Sequence, residues 1–214
     1  MSQQNRVQLF DSWAGNYDHS VHANDDFPVA GYTQVLDEVV RLADLRPGMT
    51  ILELGIGTGN LAMRLTGQGI KLWGIDFSTK MLARAKEKLP QVILVQADLS
   101  GNWPTELDRR FDRVVSSYVL HEFELATKVN LLQKLAQYHL AAGGRIVVGD
   151  IAFPTVQGRE RASKQWADLW DDQEYYWAAD EAIQACQNIG LHATYKQISS
   201  CGGVFVVMPG LAGR

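Results

Sequence analysis

The stretch "ILELGIGTGN" (51–60) limits the folds open to this chain more than any other. Gly55, Gly57 and Gly59 alternate after an apolar run and lead into an amphipathic one. Glycine in that density serves a sharp turn whose backbone lies close to a neighbour. A strand, a glycine loop and a helix in that order form the usual seat of a nucleotide.

The rest of the sequence repeats the same alternation. Residues 33–45 place Val35, Leu36, Val39, Val40 and Ala43 on one helical stripe, and Pro47 and Gly48 end it. Short apolar strands are then expected at 49–54, 71–76, 92–97, 111–117 and 145–152. Helices are expected between them, at 60–69, at 79–89 with Ser78 as cap, and at about 124–142, ending at Gly143–Gly144. That order predicts a doubly wound α/β fold with a mostly parallel sheet. After a helix at 178–189, "HATYKQIS" and "VFVVMP" are joined only by "SCGG", too short for a parallel crossover. They are expected to pair as a hairpin, so the last strand of the seven runs antiparallel.

Composition excludes several classes. The chain has 214 residues, 46% of them hydrophobic, which suits one domain with a substantial core. The formal net charge is −4 and no run of Lys and Arg stands out, so nucleic acid is not an expected partner. Cys186 and Cys201 are too few for a disulfide scaffold and are read as free thiols. There is no signal-peptide pattern and no apolar run of membrane-spanning length, so a cytoplasmic protein, monomer or homodimer, is expected.

The loop itself discriminates between ligands. A dinucleotide fingerprint, G-x-G-x-x-G/A, wants a small residue where Asn60 stands, and Gly59 comes one place early. Glu53 lies two places before the first glycine, and a carboxylate there gains nothing from a pyrophosphate. A ligand carrying an ammonium and a sulfonium would gain. With these residues the chain resembles the class I S-adenosylmethionine-dependent methyltransferases, whose first motif, E-x-G-x-G-x-G, is matched by "ELGIGTG" (53–59). The resemblance spans nearly the whole chain, and the opening "LFDSWAGNYD" is similar to the small bacterial YrrT-like group.

The resemblance implies a set of cofactor contacts for S-adenosyl-L-methionine. Gly55, Gly57 and Gly59 would let the backbone lie against the cofactor, where a Cβ would collide with it. Glu53 would orient the loop and the methionyl ammonium. Asp76 would accept the ribose hydroxyls, and Asp98 would sit at the adenine amino group. Ser116 and Ser117 end the strand whose main chain meets the methionyl part. The function implied is direct in-line methyl transfer to a small-molecule acceptor. A nicotinamide oxidoreductase with an atypical loop, and a cofactor-binding protein without catalysis, stay open as alternatives.

Methyl transfer needs alignment first and a base only when the acceptor arrives protonated. The candidates are His121 in "YVLHEF" and Asp150 in "VVGDIA", with Tyr17 and His22 on an N-terminal lid segment (1–32). "HEFEL" falls short of the zinc pattern H-E-x-x-H, because its fifth residue is Leu125, and no metal is expected. An insertion at 153–178 is read as a substrate cover within a single domain, 1–214. Around it, "SKQWADLWDDQEYYWAADE" carries Trp166, Trp170, Tyr175, Tyr176 and Trp177 among six acidic residues. At least Trp166 and Trp170, spaced i, i+4, are also explained by plain packing of a helix face.

Overall fold

Alternation of apolar side chains along each strand gives the sheet two buried faces. In this computed structural model, which describes Asp18, Val21 and residues 26–210, strands β1 (Thr50–Leu54), β2 (Lys71–Asp76), β3 (Ile93–Gln96), β4 (Phe111–Ser117) and β5 (Leu140–Phe153) run parallel. A two-residue strand, β6 (Trp177–Ala178), pairs with the end of β5. The C-terminal strands β7 (Leu191–Gln197) and β8 (Gly202–Pro209) form the expected hairpin, and β8 is antiparallel to both β5 and β7. The main sheet order is β3-β2-β1-β4-β5-β8-β7.

Ile51, Leu72, Val115, Val147 and Val206 face helices α1 (Tyr32–Ala43) and α2 (Asn60–Leu65). Their neighbours Leu52, Trp73, Val114, Val148 and Val207 face α4 (Leu125–Lys134) and α6 (Ala179–Asn188). This is the period-two pattern of strands covered on both sides. Helix α3 (Thr79–Lys88) follows β2, and Ser78 caps it by accepting the Met81 N–H at 3.1 Å. Below the sheet, Arg113 and Arg145 donate to the last carbonyls of α1, at Ala43 and Leu42. Both cysteines are free and buried.

Two boundaries differ from their expectations. The helix expected over 60–69 ends at Leu65, before a turn in which Gly67 and Gly69 have positive φ. The helix expected over 124–142 ends its α part at Lys134, a π turn carries Leu135–His139, and β5 starts at Leu140. Leu140 already pairs with Phe111 across an irregular register, and Arg110 donates to the Leu140 and Gln137 carbonyls at 2.7 and 2.9 Å. Strand pairing therefore overrides the helical pattern, and Gly143, at φ 72°, sits inside a bulged strand.

The sequence of β2 also shapes the loop after β1. A Cβ on Gly74 would lie 2.3 Å from Ile56 Cδ1 and 3.0 Å from its Cβ. Ile56 is buried, and its N–H donates to the Ile75 carbonyl at 2.9 Å. Gly74→Val is expected to push the loop off β2 and to cost ~1–3 kcal/mol of stability, the usual cost of overpacking. A urea midpoint equal to that of the parent would contradict this packing.

Candidate functional site

Strand order reverses between β1 and β4, and ligands of open α/β sheets bind in the crevice beyond the strand ends at such a point. A cavity of about 900 Å³, mouth included, lies there. Its walls are the segments that leave β1 (Gly55–Thr58), β2 (Asp76, Phe77), β3 (Ala97–Leu99) and β4 (Ser117–Val119). Tyr32, Asn60, Leu61, Met81, Glu122 and Phe123 complete it.

The three loop glycines all have positive φ, 62°, 53° and 91°, but they face different neighbours. A Cβ on Gly55 would meet Val119 at 2.4 Å, and one on Gly59 would meet Leu89 at 2.9 Å. Only Gly57 has open space beside it, on the cavity wall. At Gly55 and Gly59 the missing Cβ thus makes room for protein, while the Gly55 backbone still lines the cavity. Asp76 holds this loop in place: its carboxylate accepts the Gly57 N–H at 2.9 Å through one oxygen and the Ser78 N–H at 2.9 Å through the other.

Glu53 is the unusual residue. Strand alternation turns it to the α1/α2 face, opposite Val115 of β4. It is 1% exposed, and its Oε2 is buried without a hydrogen-bond partner. Burial raises its pKa well above the ordinary carboxylate value, and the nearby Asp76 charge adds to this; a hydrogen bond with the Ala62 backbone only partly offsets them. A buried carboxyl left in that condition is unfavourable unless a cation reaches it.

Asp98 lies on the cavity wall, where its Oδ1 accepts the Ser100 N–H at 2.8 Å and the Ser100 hydroxyl at 2.7 Å. Ser116 is fully buried and donates to the Leu54 carbonyl at 3.1 Å, so it joins β4 to β1. The next residues, Ser117, Tyr118 and Val119, line the cavity. Tyr118 has φ 54°, a strained value for a side chain of its size, and packs on Tyr32 with ring centroids 4.9 Å apart. Sequence reasoning did not single out Tyr32 or Tyr118; the only signal was the tyrosine directly after "VVSS".

A second polar centre stands behind this cavity. Asp150 is fully buried and accepts from the His121 N–H (2.9 Å), the Ile151 N–H (2.9 Å) and Trp177 Nε1 (3.0 Å), with His121 Nδ1 at 2.6 Å. It therefore positions His121 and does not itself face the cavity. His121 Nε2 points toward Glu174, 3.7 Å from Oε1. Burial alone would push the imidazole pKa down, but Asp150, with Glu174 and Glu122 beyond it, raises it to about 9. Lys128 lies nearby on the Tyr175 carbonyl and over the Trp177 ring, its pKa pushed down by burial to about 8.

Helix α5 (Val156–Gln165) opens the insertion and ends before Trp166, so Trp166 and Trp170 do not share a helix face. Both stack on Phe27, at 4.9 and 5.5 Å, and belong with Phe153 and Tyr176 to one aromatic cluster. The insertion also delivers Glu174 and Trp177 to the polar centre. Tyr17 and His22 lie outside the described residues. Asp18, between them, accepts the Thr58 hydroxyl at 2.6 Å and pairs with Lys88, and Val21 is buried. Among the described residues no helix is long and apolar enough to cross a membrane.

With this geometry in hand, comparisons are informative. Residues 51–144 match the family model of a methyltransferase domain. The chain is 33% identical over 202 residues to the uncharacterized methyltransferase GK2543 of Geobacillus kaustophilus, covering 89% of this chain and 91% of that protein. It is 28% identical over 204 residues to the uncharacterized methyltransferase YrrT of Halobacillus halophilus, covering 91% and 92%. Magnesium protoporphyrin IX methyltransferase (ChlM) from Synechocystis PCC 6803, solved with bound SAH, has the same fold: TM-score 0.74 at 19% identity, covering 97% of this chain and 100% of that one.

The condition of Glu53 has a direct consequence for stability. The unfolded chain releases this proton in the ordinary carboxylate range, whereas the folded chain holds it to higher pH. The folded state is therefore penalised increasingly as pH rises from the ordinary value toward the raised one. Glu53→Gln, without ligand at neutral pH, is expected to unfold at an equal or higher urea concentration than the parent. A clear loss of stability would show that the carboxylate is satisfied in the fold.

Proposed function

This chain belongs to the S-adenosylmethionine-dependent methyltransferases, and we propose that its acceptor is a small molecule bound beside the glycine-loop cavity. The cofactor supplies a methyl group on a sulfonium, which is already a good leaving group. The chain's task is to hold donor and acceptor in line and dry, a contribution worth up to ~7–11 kcal/mol.

The observation that carries the cofactor assignment is the buried Glu53 carboxyl, whose Oε2 lacks a hydrogen-bond partner beneath a glycine loop. The cofactor's ammonium and sulfonium are the cations such a carboxyl requires. Asp76, held on the cavity wall by two backbone amides, would accept the ribose hydroxyls. Phe77, Met81, Ala97 and Leu99 offer an apolar slot for adenine, with Asp98 at its edge. Gly57 would let the backbone approach the methionyl part.

A small acceptor is favoured by what surrounds the cavity. The packed cluster of Phe27, Trp166 and Trp170 meets the cavity through Tyr118, and at the loop Asp18 accepts the Thr58 hydroxyl. A site walled in this way would favour a small acceptor over a duplex or a folded protein. The net charge of −4 also offers no footprint for nucleic acid. We assign His121 to the acceptor side, with Asp150 positioning its ring. Tyr17 would approach from the covering segment.

Label transferred from S-adenosylmethionine is expected to appear in a pool of small metabolites and not in nucleic acid or protein; label in a macromolecule would overturn the acceptor class. Asp76→Ala is expected to weaken cofactor binding by at least ~1.5–3 kcal/mol, since a hydrogen-bonded charge and the Gly57 anchor go together. Unchanged affinity in the folded variant would remove Asp76 from the site. Asp18→Ala is expected to lower cofactor affinity while costing about 1 kcal/mol of stability, as for a half-buried ion pair that also bonds the Thr58 hydroxyl. Equal affinity would mean that the N-terminal segment does not cover the loop.

A further inference from the structure

His121 and Glu122 lie on the one-turn helix after β4 (Leu120–Glu122), and the insertion brings Glu174 against them. One donor atom from each, an imidazole nitrogen and two carboxylate oxygens, lies within 4.8 Å of the others. Donors around a single ion at ~2.0–2.2 Å stand roughly 3–4 Å apart. The distance from His121 Nε2 to Glu174 Oε1, 3.7 Å, fits that separation and is too long for a hydrogen bond.

The orientation of the ring is the second observation. His121 is 7% exposed, and its Nδ1 is committed to Asp150 Oδ1 at 2.6 Å. Asp150 is in turn held by three further donors, so the ring cannot rotate away. This leaves Nε2 3.7 Å from Glu174 Oε1, with no hydrogen bond among the described residues. A carboxylate fixing one nitrogen while the other faces a set of donors is the usual outer shell of a metal-bound histidine. Glu174 is also steadied by a side-chain hydrogen bond with Tyr176.

We propose that His121, Glu122 and Glu174 bind one divalent transition-metal ion, which would displace the Nε2 proton to solvent, with Asp150 positioning the histidine. One imidazole with two carboxylates suits Mn²⁺ or Zn²⁺ better than Mg²⁺ or Ca²⁺, which favour oxygen alone. Three protein ligands leave coordination positions open. Because Glu122 also lines the cofactor cavity, those positions adjoin the methyl donor. They suit an acceptor that binds metal through oxygen or sulfur. This last point rests on the methyltransferase reading of the cavity; ion binding itself does not. The motif "HEFEL" missed the site because its third ligand comes from the insertion, far along the chain.

The test is a titration of chelator-treated full-length protein with Mn²⁺, followed by electron paramagnetic resonance of the free ion, and a parallel one with Zn²⁺ by equilibrium dialysis. One ion per chain is expected, with affinity reduced tenfold or more in His121→Asn and in Glu174→Gln. Asp150→Asn is expected to weaken binding by roughly 10–100-fold, as outer partners of metal ligands do. Glu174 is only half-buried, so its variant keeps the test decisive should His121→Asn fail to fold. S-adenosylhomocysteine binding, measured on Glu174→Gln by calorimetry, is expected to match the parent; this separates loss of the ion site from failure of the methyltransferase reading. No saturable binding of either ion below about 1 mM, or binding unchanged in both variants, would overturn the proposal.

Discussion

A carboxyl group shut away from water with an oxygen that nothing bonds is the constraint on which this structure turns. Glu53 is in that position because strand alternation allows nothing else: Leu52 and Leu54 take the opposite face. Its neighbours cannot relieve it. Asp76 adds negative charge, and the Ala62 amide answers only part of the demand. The glycine loop above it, pinned by Asp76, leaves space for a ligand at Gly57 while Val119 and Leu89 fill the space at Gly55 and Gly59. We propose that the cofactor's cationic end completes this carboxyl. Such local cost at a functional site is tolerated because the packed strands around it supply the stability.

The second polar centre is built by the opposite principle. Asp150 is as deeply buried as Glu53, yet donors saturate it. Its role is to fix His121, and the insertion meets that residue from the other side. The two centres share the wall formed by Glu122 and Phe123 after β4. On the proposed reading the methyl donor would be held after β1 and the acceptor beside the ends of β4 and β5.

Local patterns made much of this legible in advance. The period-two strands, the Ser78 cap and the short link at "SCGG" each depend on neighbouring residues, and each element formed as expected. Where contacts between distant segments decide, the sequence was silent or misleading. The end of α4 is set by β5 pairing with β4, and the Trp166–Trp170 spacing is helical in number but not in conformation. Glu174 reaches His121 only through the course of the insertion. The strained backbone at Tyr118 has no local signature at all.

The central claim is that Glu53 holds its proton more tightly than an ordinary carboxyl and releases it to solvent when the cofactor's cationic groups reach it. Calorimetry of S-adenosylhomocysteine binding in buffers of differing ionisation enthalpy, from about pH 5 to about pH 7, measures this directly. The homocysteine product retains the ammonium, so the account predicts proton release on binding and an affinity that rises with pH across that range. Glu53→Gln should bind more weakly and release no proton. Binding by the parent without proton release, at an affinity independent of pH, would contradict the account.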